Sequence, residues 1–190
     1  MVDGRHDAAT HHPQSLFSLR RGIIFRVAKG YPLNAMHRAG RSNGNQEGLE
    51  IFSLSDPLRM DTGQKLRTSL AGKPELVISS PPEFRGDAGI WTPEDMFVTA
   101  LNACIMQTFL SFAEQKKLAL ESYDSSAEAL LEFKDGKYRF TEITVRPQLA
   151  LKSQEEVERA REIMESAHAN CFVSNSITCA VKILSEFRVA

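Results

Sequence analysis

The fold is decided by the stretch PEDMFVTALNACIMQTFLSF, residues 93–112, which is too apolar for an ordinary surface helix. Thr92 suits a helix N-cap, Pro93 suits the first helical position, and Glu94 and Asp95 favour the positive end of the helix dipole. Apolar residues then occupy every face, as in a helix that is buried or spans a membrane. The acids at its start and the interspersed polar residues argue against a membrane span. We therefore expect a buried central helix, and packing against a second copy is one way to cover all of its faces.

Short strands precede this helix. The segments LEIFSLS (50–56), KLRTSL (65–70) and ELVIS (75–79) are rich in residues that favour strands, and turn signals separate the last two. Residues 79–90 contain two prolines and two glycines, which predict a loop leading into the helix.

A hairpin and a second helix follow. Asp135-Gly136 is a favoured hairpin turn, and a change in the parity of the apolar positions predicts a bulge near Thr141–Glu142. Ser153 and Glu156 form a capping-box pattern that predicts a helix from there to about Asn170. A last strand is expected over residues 176–187. The predicted order is β-β-β-α-β-β-α-β, an α+β fold.

Composition limits the classes of partner and compartment. The chain has 190 residues and a formal net charge of −1, which gives no reason to expect nucleic acid or an acidic membrane as a partner. Three cysteines are too few for a disulfide scaffold and fit a reducing, cytoplasmic compartment.

The charge is unevenly distributed along the chain. Residues 1–46 carry seven basic and two acidic residues, a net charge of +5. We expect a basic, poorly ordered extension over 1–46 and one domain over 47–190, although an Arg-rich, acid-poor segment is also typical of an organellar transit peptide.

The cysteines allow several interpretations. Cys104 is either a small core residue or a reactive thiol, and Cys179 is expected to point inward from the last strand as a packing residue. Cys171 follows the second helix at a chain reversal, where exposure is expected. Cys104 and His168 could form a nucleophile–base pair for acyl transfer. Zinc could bind these four side chains, but no CxxC or HxxxH spacing supports a metal site.

Two motifs resemble the OsmC/Ohr family. TPEDMFVTALNACIMQTFL (92–110) is similar to the family's central-helix motif, in which a Pro-Glu pair opens the helix and a peroxidatic cysteine follows ten residues after the glutamate. NCFVSNSITCAVKI (170–183) resembles the second motif, Cys-Pro-Val-Ser followed by a strand, with Phe172 in place of proline. The resemblance implies an OsmC-like fold and an intertwined homodimer.

The resemblance also implies chemistry. Cys104 would be the peroxidatic cysteine and Cys171 the resolving cysteine, with Glu94 paired to an arginine that supports the thiolate. The position of that arginine falls near Gln64 or Lys65, so Arg67, Lys65 or Arg59 would serve, and Arg67 is the candidate. The implied partners are an organic hydroperoxide and a dithiol reductant such as a lipoylated protein, and no cofactor is expected.

Two other hypotheses remain. A protein of the same fold could lack peroxidase activity and act as a redox-sensing or ligand-binding dimer. An unrelated α+β protein could instead hold its cysteines for structural reasons.

Overall fold

The computed structural model describes residues 58–70 and 72–190, together with the backbone of one strand at 23–27. These residues form strands, α-helices and one 3-10 turn at Pro82–Phe84. The strands are β1 (Ile23–Val27), β2 (Arg59–Met60), β3 (Leu66–Thr68), β4 (Leu76–Ile78), β5 (Leu120–Lys134), β6 (Lys137–Leu151), β7 (Ala180–Ile183) and β8 (Glu186–Val189). The helices are α1 (Pro93–Gln115), α2 (Glu156–Ala169) and α3 (Phe172–Asn175).

The strands form two sheets, so the predicted α+β class is confirmed. In the larger sheet β1, β5 and β6 are antiparallel, and β7 and β8 pair with successive parts of β6 in parallel. The smaller sheet is antiparallel in the order β2-β3-β4. Strand β1 was not predicted from the sequence, and the predicted strand at 50–56 lies outside the described residues.

The β5–β6 hairpin follows local sequence rules closely. Asp135 and Gly136 have φ values of 52° and 78°, as a turn with two left-handed residues requires. Leu130 pairs with Glu142 and Leu131 with Phe140, so Thr141 is the extra residue of a bulge. Both the turn and the bulge are therefore confirmed.

Helix α1 begins as predicted and forms the centre of the core. The Asp95 N–H donates to Thr92 Oγ1 at 3.0 Å, and the Thr92 N–H donates to Asp95 Oδ2 at 3.1 Å, which completes a capping box. Leu101, Ile105 and Phe109 are fully buried within the core. The helix packs against β5, α2 and α3.

Burial of α1 by one chain is incomplete. It is long and apolar enough to cross a membrane, a property shared by core helices of soluble proteins, and 39% of its most apolar 18-residue window is buried. Cys104, Leu110 and Phe112 are only half-buried. The residues that the structure describes thus do not bury the helix on every face as expected.

Two boundary predictions were wrong. Helix α2 begins at Glu156, with Glu155 at its N-cap and no side-chain cap, so Ser153 does not open it. The Glu156 carboxylate instead accepts hydrogen bonds from Arg159 at 2.9 and 3.0 Å.

The single strand expected over 176–187 is also wrong. The chain first forms the one-turn helix α3 and then two short strands, because β7 and β8 pair with different parts of β6. Leu184 lies between them, and its N–H still donates to the Val145 carbonyl at 2.9 Å.

Candidate thiol site

Cys104 lies in the middle of α1. It is half-buried and packs against the hydrophobic core. The Thr108 hydroxyl donates to the Cys104 carbonyl at 2.8 Å, one turn further along the helix. Cys104 therefore lies within a regular helix, and its backbone carbonyl accepts a further hydrogen bond from a side chain.

Cys171 lies at the N-cap of α3. Its sulfur accepts a hydrogen bond from the Ser174 N–H at 3.4 Å. The side chain is completely buried within the core cluster, so the expected exposure is wrong. The reason is that α3 packs against both α1 and α2, which encloses the start of the turn.

The structure brings the thiols of Cys104 and Cys171 together. Burial raises the pKa of Cys171 to about 11, and a hydrogen bond with the Cys104 thiol contributes to the rise. Both cysteines are free in this structure. The fold therefore places the Cys104 thiol, on α1, beside the enclosed Cys171 thiol, which lies 67 residues later in the chain.

Cys179 is a separate thiol. It immediately precedes β7, is half-buried, and packs against the core with Ile177 and Val181. Burial raises its pKa. Its packing against the core agrees with the predicted role, but the predicted position within a strand is wrong, because β7 begins one residue later.

Glu94 lies in the first turn of α1. Its Oε2 atom is buried and has no hydrogen-bond partner among the residues that the structure describes. Helix α1 is continuous from Glu94 to Cys104, so ten residues separate them by about 15 Å along the axis. A glutamate side chain cannot span that distance, so the two do not meet within one chain.

Two of the three candidate cations, Arg67 and Lys65, are engaged with nearby acids. Arg67, in β3, contacts Asp61 at 2.9 Å and Glu75 at 2.5 Å, and these contacts raise its pKa. Its side chain is 47% exposed, so the ion pairs contribute little to stability.

The other candidates lie on the same small sheet or the turn beside it. Lys65 contacts Asp87 at 3.3 Å. Arg59 is exposed and pairs with Arg67 across β2 and β3, and Gln64 is exposed in the turn. The predicted pairing of an arginine with Glu94 is therefore not formed by Arg67 or Lys65 within this chain.

His168 faces a different part of the molecule. It lines a cleft of about 490 Å³ between α2 and the β7–β8 segment, together with Arg161, Glu165 and Phe187. Cys104 is not among the residues that line this cleft. Within residues 58–70 and 72–190, no group of three or more His, Cys, Asp or Glu side chains is placed to hold a metal ion.

One buried polar contact was missed by sequence reasoning. The Ser125 hydroxyl donates to Asn102 Oδ1 at 2.6 Å, and both residues are at least 98% buried. Asparagine within an apolar helix was the available signal, because a buried amide requires partners. The contact fixes α1 against β5 two residues before Cys104.

Comparison with known proteins identifies the fold family. The family described as OsmC-like protein matches residues 86–186, which is more than half of the chain. No match is found among curated proteins.

Solved structures share this fold. An OsmC-like protein of unknown function from Vibrio cholerae O1 biovar eltor is 23% identical, with a TM-score of 0.63 over 73% of this chain and 100% of that one. An organic hydroperoxide resistance protein from Elizabethkingia anophelis is 17% identical, with a TM-score of 0.61 over 73% and 99% of the two chains. An organic hydroperoxide resistance protein OsmC from Legionella pneumophila is 21% identical, with a TM-score of 0.54 over 70% and 96%.

The family match covers α1, the β5–β6 hairpin, α2 and both cysteines of the pair. The chain therefore belongs to the OsmC family.

Proposed function

We propose that this protein is a thiol-dependent peroxidase that reduces organic hydroperoxides to alcohols in the cytoplasm. The observation that carries the proposal is the contact between the Cys104 and Cys171 thiols in a chain of the OsmC family. Two of the solved structures with this fold bear the name organic hydroperoxide resistance protein, which supports the same chemistry.

The proposed reaction begins at Cys104. Its thiolate attacks one peroxide oxygen, the O–O bond breaks, and the alcohol leaves with a proton while Cys104 becomes a sulfenic acid. The Cys171 thiolate then attacks the Cys104 sulfur, which releases water and forms a disulfide. A dithiol reductant such as a lipoylated protein restores both thiols by exchange.

The proposed site requires a homodimer. The half-buried side of α1 and the buried Glu94 Oε2, which has no hydrogen-bond partner among the described residues, support a second chain packed antiparallel on this helix. That arrangement brings Glu94 of one chain toward Cys104 of the other. A cation from the small sheet, with Arg67 as the candidate, would then support the thiolate.

The preference for organic hydroperoxides is supported by half-buried and exposed aromatic side chains. Phe97 lies two helical turns before Cys104 and stacks on Phe140, with 5.0 Å between the ring centroids. Phe172, next to Cys171, is 78% exposed. Phe109 is fully buried and serves the core instead.

One observation favours a second candidate function. Arg67 and Lys65 are both engaged by acids, so neither is free to lower the pKa of a thiol in this arrangement. A member of the family without peroxidase activity, acting as a redox-sensing or ligand-binding dimer, would retain the thiol pair without that cation.

A direct assay distinguishes the two. Reduced protein is mixed with cumene hydroperoxide or with hydrogen peroxide, and free thiols and intact mass are followed over time. The peroxidase should lose two thiols rapidly with cumene hydroperoxide and more slowly with hydrogen peroxide. A redox sensor would oxidise without turnover when a dithiol is added, and that result would reject the enzyme.

A further inference from the structure

The two thiols of the pair differ in access from outside. Cys171 has 0% of its surface exposed and belongs to the core cluster that contains Ile163 and Ala167. Cys104 is half-buried. In the proposed dimer Cys104 lies at the site between the two chains, whereas Cys171 lies behind it in the core, so a reagent that enters this site meets Cys104 first.

Thiol–disulfide exchange makes this difference decisive. The attacking thiolate approaches one sulfur along the S–S axis, opposite the sulfur that leaves, and the rate depends on which sulfur is accessible. Attack on Cys171 would require the reductant to enter through the packed core. Attack on Cys104 takes place in the site between the two chains of the proposed dimer and requires no opening of the core.

We infer that the dithiol reductant attacks the Cys104 sulfur of the Cys104–Cys171 disulfide and that Cys171 is the leaving group. This inference rests on the proposed catalytic cycle. One reductant thiolate bonds to the Cys104 sulfur, the Cys104–Cys171 bond breaks, and the electron pair and a proton go to Cys171. The second thiol of the reductant then displaces Cys104, which yields its free thiol and the cyclic disulfide of the reductant.

The start of α3 is arranged to receive the leaving sulfur. The Ser174 N–H already donates to Cys171 Sγ at 3.4 Å, and charge develops on this atom as the disulfide breaks. The Ser174 and Val173 N–H groups lower the pKa of Cys171, whereas burial raises it to about 11. The raised pKa makes Cys171 a slower leaving group. It does not give the reductant a path to the Cys171 sulfur, however, so access determines which sulfur is attacked.

The experiment uses full-length Cys179→Ala protein oxidised with diamide, which leaves one possible disulfide. Excess glutathione, a monothiol, is added, the reaction is quenched with acid at early times, and the glutathione adduct is located by peptide mass mapping. We expect adduct on the Cys104 peptide in at least about tenfold excess over the Cys171 peptide. Adduct mainly on Cys171, equal labelling, or failure of diamide to form the disulfide would overturn the inference.

A second measurement guards against migration of the adduct between the two sulfurs. Variants with a single cysteine, Cys171→Ser/Cys179→Ala and Cys104→Ser/Cys179→Ala, are reacted with an aromatic disulfide reagent in buffer and in denaturant. Cys104 should react at least about tenfold faster when folded, and the rates should converge when unfolded. Equal rates in the folded proteins would contradict the inference. Neither test requires peroxide. If the adduct forms on Cys104 but the protein shows no peroxidase turnover, only the proposed function is rejected.

Discussion

At the scale of single residues, Cys171 is the position where function can be tested most directly. If Cys171 resolves the Cys104 sulfenic acid, Cys171→Ser should stop the cycle after one oxidation and leave Cys104 open to sulfinic acid formation. Intact mass after repeated doses of cumene hydroperoxide should show two added oxygens on the variant and a disulfide on the wild type. A variant that cycles with a dithiol as well as wild type would exclude this role.

Cys179 provides the contrasting case. Because it packs beside the core apart from the thiol pair, Cys179→Ala should keep peroxidase turnover and lose about 1 kcal/mol of unfolding free energy. Urea unfolding and a peroxide assay measure the two effects. Loss of turnover in a folded Cys179→Ala protein would show that the resolving cysteine has been assigned incorrectly.

Gly86 shapes the loop that leads into α1. A Cβ added there would lie 1.5 Å from the Ser80 carbonyl oxygen, a backbone atom that cannot move aside cheaply. Gly86→Ala should therefore lower the unfolding free energy by about 3 kcal/mol. The matched control is Gly89→Ala, where no atom lies within 4 Å of the added Cβ. Only the strain of a φ of +79° should lower the unfolding free energy there, by about 1 kcal/mol. Equal losses in urea unfolding would contradict this explanation.

The thiol pair could be predicted from the sequence, but the cation that supports it could not. Cys104 and Cys171 were predicted as a pair from motif resemblance, and their contact in the structure agrees with that pairing. The cation was not settled, because charge alone does not reveal a partner. Arg67 could be placed on a strand, but its ion pairs with Asp61 and Glu75 depend on how β2, β3 and the chain before β4 come together.

At the scale of elements, the contact between α1 and β5 is the most testable feature. Ser125→Ala would leave Asn102 Oδ1 buried without its 2.6 Å hydrogen bond. The expected cost is about 1–3 kcal/mol of unfolding free energy. Ser126→Ala, one residue along the same strand and less buried, is the control and should change stability by less than about 0.5 kcal/mol. Equal effects in chemical unfolding would reject a specific role for this hydrogen bond.

Element boundaries were predictable where local chemistry determines them. The start of α1, the Asp135-Gly136 turn and the bulge at Thr141 each follow from a few adjacent residues. The start of α2 was not predictable in this way, because the Glu156 carboxylate interacts with Arg159 and with the chain before β5, and only the Glu156 backbone N–H contacts Ser153, at its carbonyl oxygen. The break between β7 and β8 is set by pairing with β6, which the local pattern does not encode.

At the scale of the whole molecule, three observations converge on a second chain. Helix α1 is apolar on every face but only partly covered, and Glu94 buries a carboxylate oxygen without a partner among the described residues. Large apolar side chains are also exposed on the small sheet and the loop that follows it, including Met60 at 79% and Trp91 at 44%. A two-fold dimer would cover these surfaces and complete the site in one step.

The dimer hypothesis predicts how mixed assemblies behave. A heterodimer of one wild-type chain and one Glu94→Ala/Cys104→Ser chain is purified with two different affinity tags. If Glu94 acts on Cys104 of the other chain, one site lacks the glutamate and the other lacks the thiol, so turnover of cumene hydroperoxide should be lost. The wild-type homodimer carrying the same two tags is the control for tagging and exchange. If the two residues acted within one chain, the wild-type subunit would keep a whole site and about half of the activity per dimer would remain. A stable monomer with full peroxidase activity at low micromolar concentration would defeat the hypothesis outright, because the pocket would then need no second chain.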